Sequence, residues 1–352
     1  MKPQLLALSI AALSLSQTLS AAAAEAGPNW RTESVPTSAS MRGLSVVSAS
    51  VAWASGTGGT VLRTTDGEHW QVMQVAGADK LDFRDIHAVD ARRAVAMSAG
   101  PGEASRVYRT DDGGASWQLQ ASNTFAQGFW DALAFWDPEH GLMFGDAVNG
   151  SFQLYRTSDG GKRWTEVKAR GLEAMPSEGA FAASGTCLVV GAKGEAWIAT
   201  GGAARARVFH SRDHGASWQA STTPIPAGAA AKGIFSLAFL NNKTGIAAGG
   251  DYQQAALPGL NGALTDDGGI NWRPAAILPA GYISVVVPVP GAAHSLVAGG
   301  LTGSGVSRDG GKSWTVLGST PLNTVGFASP TVGWAVGPKG LLMKYVGPSL
   351  AN

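Results

Sequence analysis

Charged and aromatic residues recur at the starts of predicted strands and in the loops between them, where side chains can meet a ligand. Two carboxylates held beside a glycosidic bond can hydrolyse it, and a concave site with convergent polar groups and aromatic rings can bind a partner without any reaction. The residues that we take as candidates for such a site are Arg42, Arg84, Asp85, Trp130, Asp131, Asp146, Glu178, Asp251, Tyr252 and Tyr282.

Each of these candidates also has a purely structural interpretation. Asp146 and Asp251 directly follow a glycine, which is a common arrangement in turns, and a tyrosine or tryptophan beside a channel often only packs. Several repeats nevertheless depart from their consensus in these loops, which favours a functional role for the group as a whole. A carboxylate pair for hydrolysis would come from Asp85, Asp131, Asp146, Glu178 and Asp251.

An internal repeat predicts the elements that position these residues. Its motif, the Asp-box, reads Ser or Thr, any residue, Asp, any residue, Gly, two further residues and Trp. Full copies occupy 110–117, 157–164, 211–218, 265–272 and 307–314, and a copy one residue shorter occupies 64–70. So many fixed positions do not recur by chance.

The chemistry of the Asp-box is local to its turn. The Asp side chain can accept hydrogen bonds from nearby backbone N–H groups, the Ser or Thr does so more weakly, and the Gly adopts a left-handed conformation. The Trp begins the next strand and buries a large apolar surface. We therefore interpret the Asp residues as structural and not as catalytic acids: Asp66, Asp112, Asp159, Asp213, Asp267 and Asp309.

The spacing of the repeat matches one four-stranded blade of a β-propeller. The strands of the first repeat are predicted at 42–48, 51–55, 60–63 and 69–75. The tryptophans that end the six motifs stand at 70, 117, 164, 218, 272 and 314.

The two ends of the chain complete one more blade. Residues 332–337 repeat the pattern of 52–56, and 341–345 match a third strand, but no Asp-box follows them. Residues 29–32 are therefore predicted to supply the missing outer strand. This closure leaves no free sheet edge and predicts an all-β, seven-bladed propeller of four-stranded blades.

Composition excludes several other classes of function. A net charge of +1 and the absence of a Lys- and Arg-rich run argue against nucleic acid as a partner. The single cysteine, Cys187, excludes an internal disulfide and is interpreted as a small core residue. The six histidines show no metal-ligand spacing, and the glycines lie in β-turns without a nucleotide-binding fingerprint, so we predict neither a metal nor a cofactor.

The N-terminus is typical of an export signal. A basic start at Lys2, an apolar stretch over 5–19 and small residues over 21–26 predict a cleaved signal peptide at 1–24. The apolar stretch is shorter than the roughly 20 residues that a membrane span needs. A single propeller domain is expected over 28–348. Because no cysteine follows the signal to carry a lipid, we expect a periplasmic or secreted protein.

The Asp-boxes resemble the bacterial neuraminidase repeat. The fuller pattern, seen at 109–117 and again at 333–342, most resembles the photosystem II stability/assembly factor family, over essentially the whole mature chain. That resemblance implies binding of a polypeptide partner, which includes a membrane protein. We also expect a monomer, and an assembly role is favoured over an enzymatic one.

A second hypothesis stays open, namely a glycan-binding or glycoside-hydrolysing protein. A sialidase-like site would use Arg42 and Arg84 for the substrate carboxylate, Tyr282 with Glu178 as nucleophile, and Asp85 as acid/base. The third arginine of such a site is missing, because the matching positions hold Trp130, Lys232 and Asn323.

Overall fold

The computed structural model describes residues 28–351, and these form seven antiparallel sheets of four strands each. The predicted all-β, seven-bladed propeller is confirmed. The predicted signal peptide at 1–24 lies outside the described residues. Within 28–351 no helix is long and apolar enough to cross a bilayer. The helical turns described there are three 3-10 segments, Gly102–Ala104, Ala192–Gly194 and Tyr252–Gln254.

The first four blades follow one another along the chain. Blade 1 contains β2 (Met41–Val46), β3 (Ala52–Gly56), β4 (Thr60–Thr64) and β5 (Trp70–Gln74). Blade 2 contains β6 (Phe83–Ala88), β7 (Ala94–Ser98), β8 (Arg106–Thr110) and β9 (Gln118–Ser122). Blade 3 contains β10 (Trp130–Phe135), β11 (Gly141–Val148), β12 (Ser151–Thr157) and β13 (Thr165–Glu166). Blade 4 contains β14 (Leu188–Val190), β15 (Ala196–Ala199), β16 (Arg207–Ser211) and β17 (Gln219–Thr222).

The last three blades include the one that joins the chain ends. Blade 5 contains β18 (Lys232–Phe239), β19 (Gly245–Asp251), β20 (Gly262–Thr265) and β21 (Arg273–Ala275). Blade 6 contains β22 (Val285–Pro288), β23 (Leu296–Gly300), β24 (Gly303–Ser307) and β25 (Thr315–Gly318). Blade 7 contains β26 (Thr324–Ser329), β27 (Val332–Val336), β28 (Leu342–Tyr345) and the N-terminal β1 (Trp30–Thr32).

The pairing of β1 with β28 closes the ring. Trp30 lies opposite Tyr345 in this antiparallel pair, and its indole ring packs at 5.4 Å from the Tyr345 ring and 6.1 Å from the Phe327 ring. Its indole N–H donates to the hydroxyl of Ser304 in blade 6 at 3.2 Å. Trp30 therefore attaches β1 both to β28 of the same blade and to the neighbouring blade 6.

The turns between the third and fourth strands share one hydrogen-bond pattern. In blade 2 the hydroxyl of Thr110 accepts from the backbone N–H of Gly114 at 2.9 Å and donates to Asp112 at 2.8 Å. Asp112 in turn accepts from the Ser116 backbone N–H and hydroxyl, and the Ser116 side-chain bond is the main reason that its pKa falls to about 2. The same bonds recur around Asp66, Asp159, Asp213, Asp267 and Asp309.

A basic side chain just before each of several Asp-boxes joins one blade to the next. Arg63 donates to the carbonyl of Ala91, Arg109 donates to the carbonyl of Gly160 at 2.9 Å, and Arg156 donates to the carbonyl of His214. Lys344 repeats the contact across the closure by donating to the carbonyl of Gly67 at 2.9 Å. The recurring basic position is thus a contact between blades.

The core lies between the blades and around the second strands. The second strands of blades 1, 4 and 7 each carry a fully buried tryptophan that directly follows an alanine or a glycine, as in Ala52–Gly56. Small neighbours leave room for a large ring from the adjacent sheet, so the blades can pack face to face. These tryptophans are Trp53, Trp197 and Trp334.

The centre of the ring is crossed by residues 179–187, which we call the central segment. It precedes β14, the first strand of blade 4. The hydroxyl of Ser184 donates to Ser284 of blade 6 at 2.8 Å, and Thr186 lies 2.6 Å from Ser236 of blade 5. On the opposite side, the Ala180 backbone N–H donates to a carboxylate of blade 3 at 2.8 Å. The segment therefore crosses the centre of the ring from one side to the other.

We predict that Thr110→Val weakens the fold. Valine has a similar shape but leaves the buried N–H of Gly114 without its acceptor, which costs about 1–3 kcal/mol. Urea unfolding measures this loss. Ser116→Ala, which removes only an exposed bond of the same turn, is the control and should cost about 0.5 kcal/mol or less. Equal stability of Thr110→Val and wild type would contradict the structural assignment.

We predict a larger loss for Trp30→Ala. Truncating a buried tryptophan costs about 3–5 kcal/mol, and here it also loosens the closing strand. Thermal unfolding checks the effect against Arg31→Ala, whose exposed ion pairs should contribute about 1 kcal/mol at most. If both variants unfold at the wild-type temperature, the packing of β1 is not needed for closure.

Candidate functional site

A cavity of about 440 Å³ opens at the centre of the face opposite the Asp-box turns. Six of the ten predicted binding residues line it: Arg42, Arg84, Asp131, Asp146, Tyr252 and Tyr282. Asn323 of blade 7 also lines it, and residues 180–183 of the central segment form its floor. Every blade, or the segment that leads into it, thus contributes to one site.

β-Bulges aim several of these side chains into the cavity. The pairing of the first two strands shifts register at Arg42 in blade 1, at Arg84 in blade 2 and at Asp131 in blade 3. The same shift occurs at Phe235 in blade 5, and the second strand of blade 3 bulges at Asp146. A bulge leaves one residue without a partner and redirects its side chain, so these residues share one geometric origin.

The arginines form one wall of the cavity. Arg84 donates to Asp82 at 2.8 Å and to the carbonyl of Ala182 at 3.4 Å. Arg42 makes no hydrogen bond or ion pair with residues 28–351. Burial lowers the pKa of Arg42, and the positive charge of Arg84 lowers it further. Arg42 therefore presents to the cavity a cation that has no ion pair or hydrogen bond in the described residues and is offset only by the more distant charge of Asp82.

Two carboxyl groups of blade 3 lie beyond Arg84. Asp131 is fully buried, and no donor meets hydrogen-bond geometry at either of its oxygens, although the N–H groups of Asp146 and Ala182 act on it more weakly. Burial and the nearby charge of Asp146 hold the pKa of Asp131 well above its usual range. Asp146 accepts from Ala180 with one oxygen, and burial raises its pKa to about 6.

Aromatic rings form the other half of the cavity. Phe181 and Phe235 stack with their centroids 3.8 Å apart, and Tyr282 meets Phe235 edge-on at 4.8 Å. Tyr252 remains 45 % exposed at the rim, beside the exposed side chain of Leu301. The cavity thus has a charged half on blades 1–3 and a mainly aromatic half on blades 4–6, with Phe129 as an aromatic residue at the entry to blade 3.

Asp85 does not line the cavity but joins two blades. Its carboxylate accepts from the backbone N–H of Ile86 at 2.8 Å and from that of Leu133 in blade 3 at 2.8 Å. Ser236 does the same in blade 5, accepting from Val286 of blade 6 at 2.8 Å. Both residues come directly after the bulged position. The role of Asp85 as a binding residue or acid/base is therefore replaced by a structural one.

Glu178 and Asp251 are also held by partners. Glu178 binds Arg207 through both oxygens and accepts from Thr200 at 2.6 Å, which anchors the chain just before the central segment. Asp251 lies 3.7 Å from Lys232 and accepts from the N–H of Gln253 at 3.0 Å. Neither side chain lines the cavity, so neither can act there beside Tyr282.

The prediction that Trp130 stands at the cavity mouth is wrong. Its side chain is 1 % exposed and packs between blades against Val95 and Met97, with its ring 5.5 Å from Tyr155. The bulge explains the difference, because it turns Asp131 toward the cavity and leaves Trp130 on the opposite side of the strand.

Sequence reasoning missed the aromatic residues of the cavity: Phe129, Phe181 and Phe235. A signal for Phe235 was present. Four consecutive residues follow the same order in several blades: an apolar residue, the bulged residue, a small or acidic residue and a second apolar residue. This order occurs at 41–44, 83–86, 130–133 and 234–237. Phe181 carries no comparable signal, because the central segment has no counterpart in the other blades.

The arrangement does not assemble a sialidase-like or paired-carboxylate site. Asp85, Glu178 and Asp251 are bound elsewhere, and Asp131 has no exposed surface with which to touch a substrate. Among residues 28–351, no group of three or more His, Cys, Asp and Glu side chains could hold a metal ion.

Asp85 should make stability depend on pH. Burial raises its pKa to about 7, so between about pH 4 and 7 the folded protein holds a proton that the unfolded chain releases. The stabilisation by protonated Asp85 is complete below about pH 4. It is lost as the pH rises from there through 7, by up to about 1.4 kcal/mol per pH unit. The free energy of unfolding of wild type minus that of Asp85→Asn should therefore fall from pH 4 to 7.

The difference between the two proteins is needed because buried histidines act in the opposite direction. Burial lowers the pKa of His87 and of His210 to about 4. Each of them therefore makes the folded protein less stable as the pH falls. These terms cancel in the subtraction. The free energy of unfolding is measured by urea unfolding at each pH. If its difference between wild type and Asp85→Asn stays constant from pH 4 to 7, Asp85 remains ionised and the prediction is wrong.

Comparison with solved structures finds the same fold. A structure of YCF48 bound to D1 peptide matches with a TM-score of 0.66 at 18 % identity, covering 91 % of this chain and 97 % of that one. YCF48 from Cyanidioschyzon merolae matches with a TM-score of 0.65 at 17 % identity, covering 90 % and 99 %. A structure of U3-55K matches with a TM-score of 0.58 at 11 % identity, covering 91 % and 99 %.

The predicted resemblance to photosystem II stability/assembly factor propellers is confirmed as a likeness of fold. No curated protein matches the chain at a significant level. A family model described as DUF6242 beta propeller domain matches residues 11–248, which is more than half of the chain. The chain therefore belongs to the DUF6242 beta propeller domain family.

Proposed function

We propose that the protein is an exported propeller that binds a segment of a polypeptide partner in the central cavity, as an assembly or stability factor. The observation that carries this proposal is Arg42, a half-buried cation with no hydrogen bond or ion pair in residues 28–351, which shares one cavity with several aromatic rings. A carboxylate of the partner would pair with Arg42, and its apolar side chains would cover Tyr252 and Leu301.

The surroundings of the cavity also suit a peptide. Leu257, in the loop after β19, is 62 % exposed, and Tyr252 and Leu301 stand exposed at the cavity rim. Exposed apolar side chains beside a charged cavity are typical of sites that bind another protein. The fold is shared with a YCF48 that was solved with a D1 peptide, which supports a polypeptide as the ligand class.

The setting that we propose is the periplasm or the extracellular space, on the strength of the predicted signal peptide at 1–24. The protein would act there as a monomer, and membrane proteins are the partner class that the resemblance implies. Glycoside hydrolysis is the weaker alternative, because Asp146 is the one candidate carboxylate with both an exposed surface and an oxygen free of partners in residues 28–351.

We predict that partner capture depends on Arg42 and Tyr252. The tagged protein is purified from the envelope of its host, and the proteins that come with it are identified by mass spectrometry. Arg42→Gln and Tyr252→Ala should each reduce the recovered partner at least about tenfold, since each removes a central contact.

The matched control is Arg163→Gln, which removes an exposed arginine in an Asp-box turn on the opposite face. It should recover as much partner as wild type. A partner that is lost with Arg163→Gln but kept with Arg42→Gln would place the interaction on the wrong face, and a protein recovered without partners would contradict the proposal.

A further inference from the structure

A carboxyl pair in the charged half of the cavity lacks the partners that buried carboxylates normally have. Asp131 is fully buried in the cavity wall with neither oxygen bonded in good geometry. Asp146, which is half-buried, uses one oxygen to accept from Ala180, and its second oxygen has no partner in residues 28–351. Buried carboxylates in folded proteins are ordinarily paired or hydrogen-bonded, so these free oxygens point to a missing cationic group.

The cations of the protein itself do not fill this role. Arg84 is the nearest, and its guanidinium is already paired with Asp82 at 2.8 Å. Arg42 interacts with Arg84, Asp82 and Tyr282 rather than with the carboxyl pair. The raised pKa of both carboxyls agrees with this, because a cation at hydrogen-bond distance would lower them.

An aromatic face stands next to the pair. Phe181 follows Ala180, the residue that binds Asp146, and Phe181 stacks on Phe235 inside the cavity. A cation that leaves water is stabilised both by a carboxylate and by the face of an aromatic ring. A metal ion would find few ligands here, whereas an organic cation on an apolar stem suits the mixture of carboxyl and ring.

We propose that Asp131, Asp146 and Phe181 form a subsite for a basic side chain of the bound polypeptide, a lysine ammonium or an arginine guanidinium. The inference rests on the proposed function. Asp146 binds the cation directly through its free oxygen. The positive charge of the bound side chain lowers the pKa of Asp131 behind the wall, so that this carboxyl ionises and adds to the attraction. With Arg42 on the other side of Arg84, the site then selects a segment that carries both an acidic and a basic group.

The test uses a random 12-residue peptide library displayed on phage, selected against the whole protein. Peptides recovered on wild type should share one Lys or Arg position. Replacing that residue by its uncharged analogue norleucine, in the case of lysine, or by citrulline, in the case of arginine, should weaken binding to wild type at least about tenfold.

The coupling between peptide and protein identifies the subsite. In Asp146→Asn, where the amide oxygen can still accept from Ala180, the same peptide substitution should change affinity less than about twofold. Asp131→Asn should give an intermediate effect. Asp251→Asn, a carboxylate on the same face outside the cavity, is the matched control and should keep the full tenfold dependence.

The outcomes separate the two proposals. Peptides that bind and depend on Arg42, but show no basic position or no coupling to Asp146, would overturn the subsite and leave the proposed function standing. The denatured wild-type protein serves as the background target in the selection. If the folded protein enriches no peptide above this background, the proposed function fails, and the subsite fails with it.

Discussion

The pairing of the N-terminal strand with the last strand of the chain is the constraint on which the rest of the propeller depends. Without β1, blade 7 would present a free edge at Leu342–Tyr345, and blade 6 would lose the indole that binds Ser304. The closure also reaches the cavity, because Asn323 of blade 7 donates to the carbonyl of Met41 at 2.9 Å, beside Arg42. The position of the unpaired arginine is thus set by how the ring closes.

The site is organised by a repeated backbone irregularity more than by any single loop. A bulge near the start of the inner strand turns one side chain per blade toward the axis, and the residue after it binds the neighbouring inner strand, as Asp85 and Ser236 show. One device therefore serves both stability and recognition. It allows the inward residue to vary between Arg, Asp and Phe without disturbing the contacts between blades.

Much of the fold could be predicted from the sequence because its signals are local. The strands of blade 1 lie within one or two residues of their predicted bounds, and residues 29–32 do supply the last outer strand. The cavity was harder to predict. Trp130 and Asp131 are neighbours, and a one-residue bulge decides which of them faces the axis. The sequence pattern around that bulge can be recognised only when several blades are compared, because a single blade shows no irregularity in composition or spacing. The side-chain partners of Glu178, Thr200 and Arg207, lie 22 and 29 residues away along the chain and are equally invisible in the sequence.

The central segment gives the molecule a property that an open ring would not have. Because Ser184, Thr186 and Ala180 tie this segment to blades on opposite sides of the axis, the segment forms a floor across the centre of the ring, beneath the cavity. A polypeptide that binds as we propose would meet this floor with a chain terminus or a reversing loop and would leave through the same mouth. The propeller would then be loaded and unloaded without any opening of the ring.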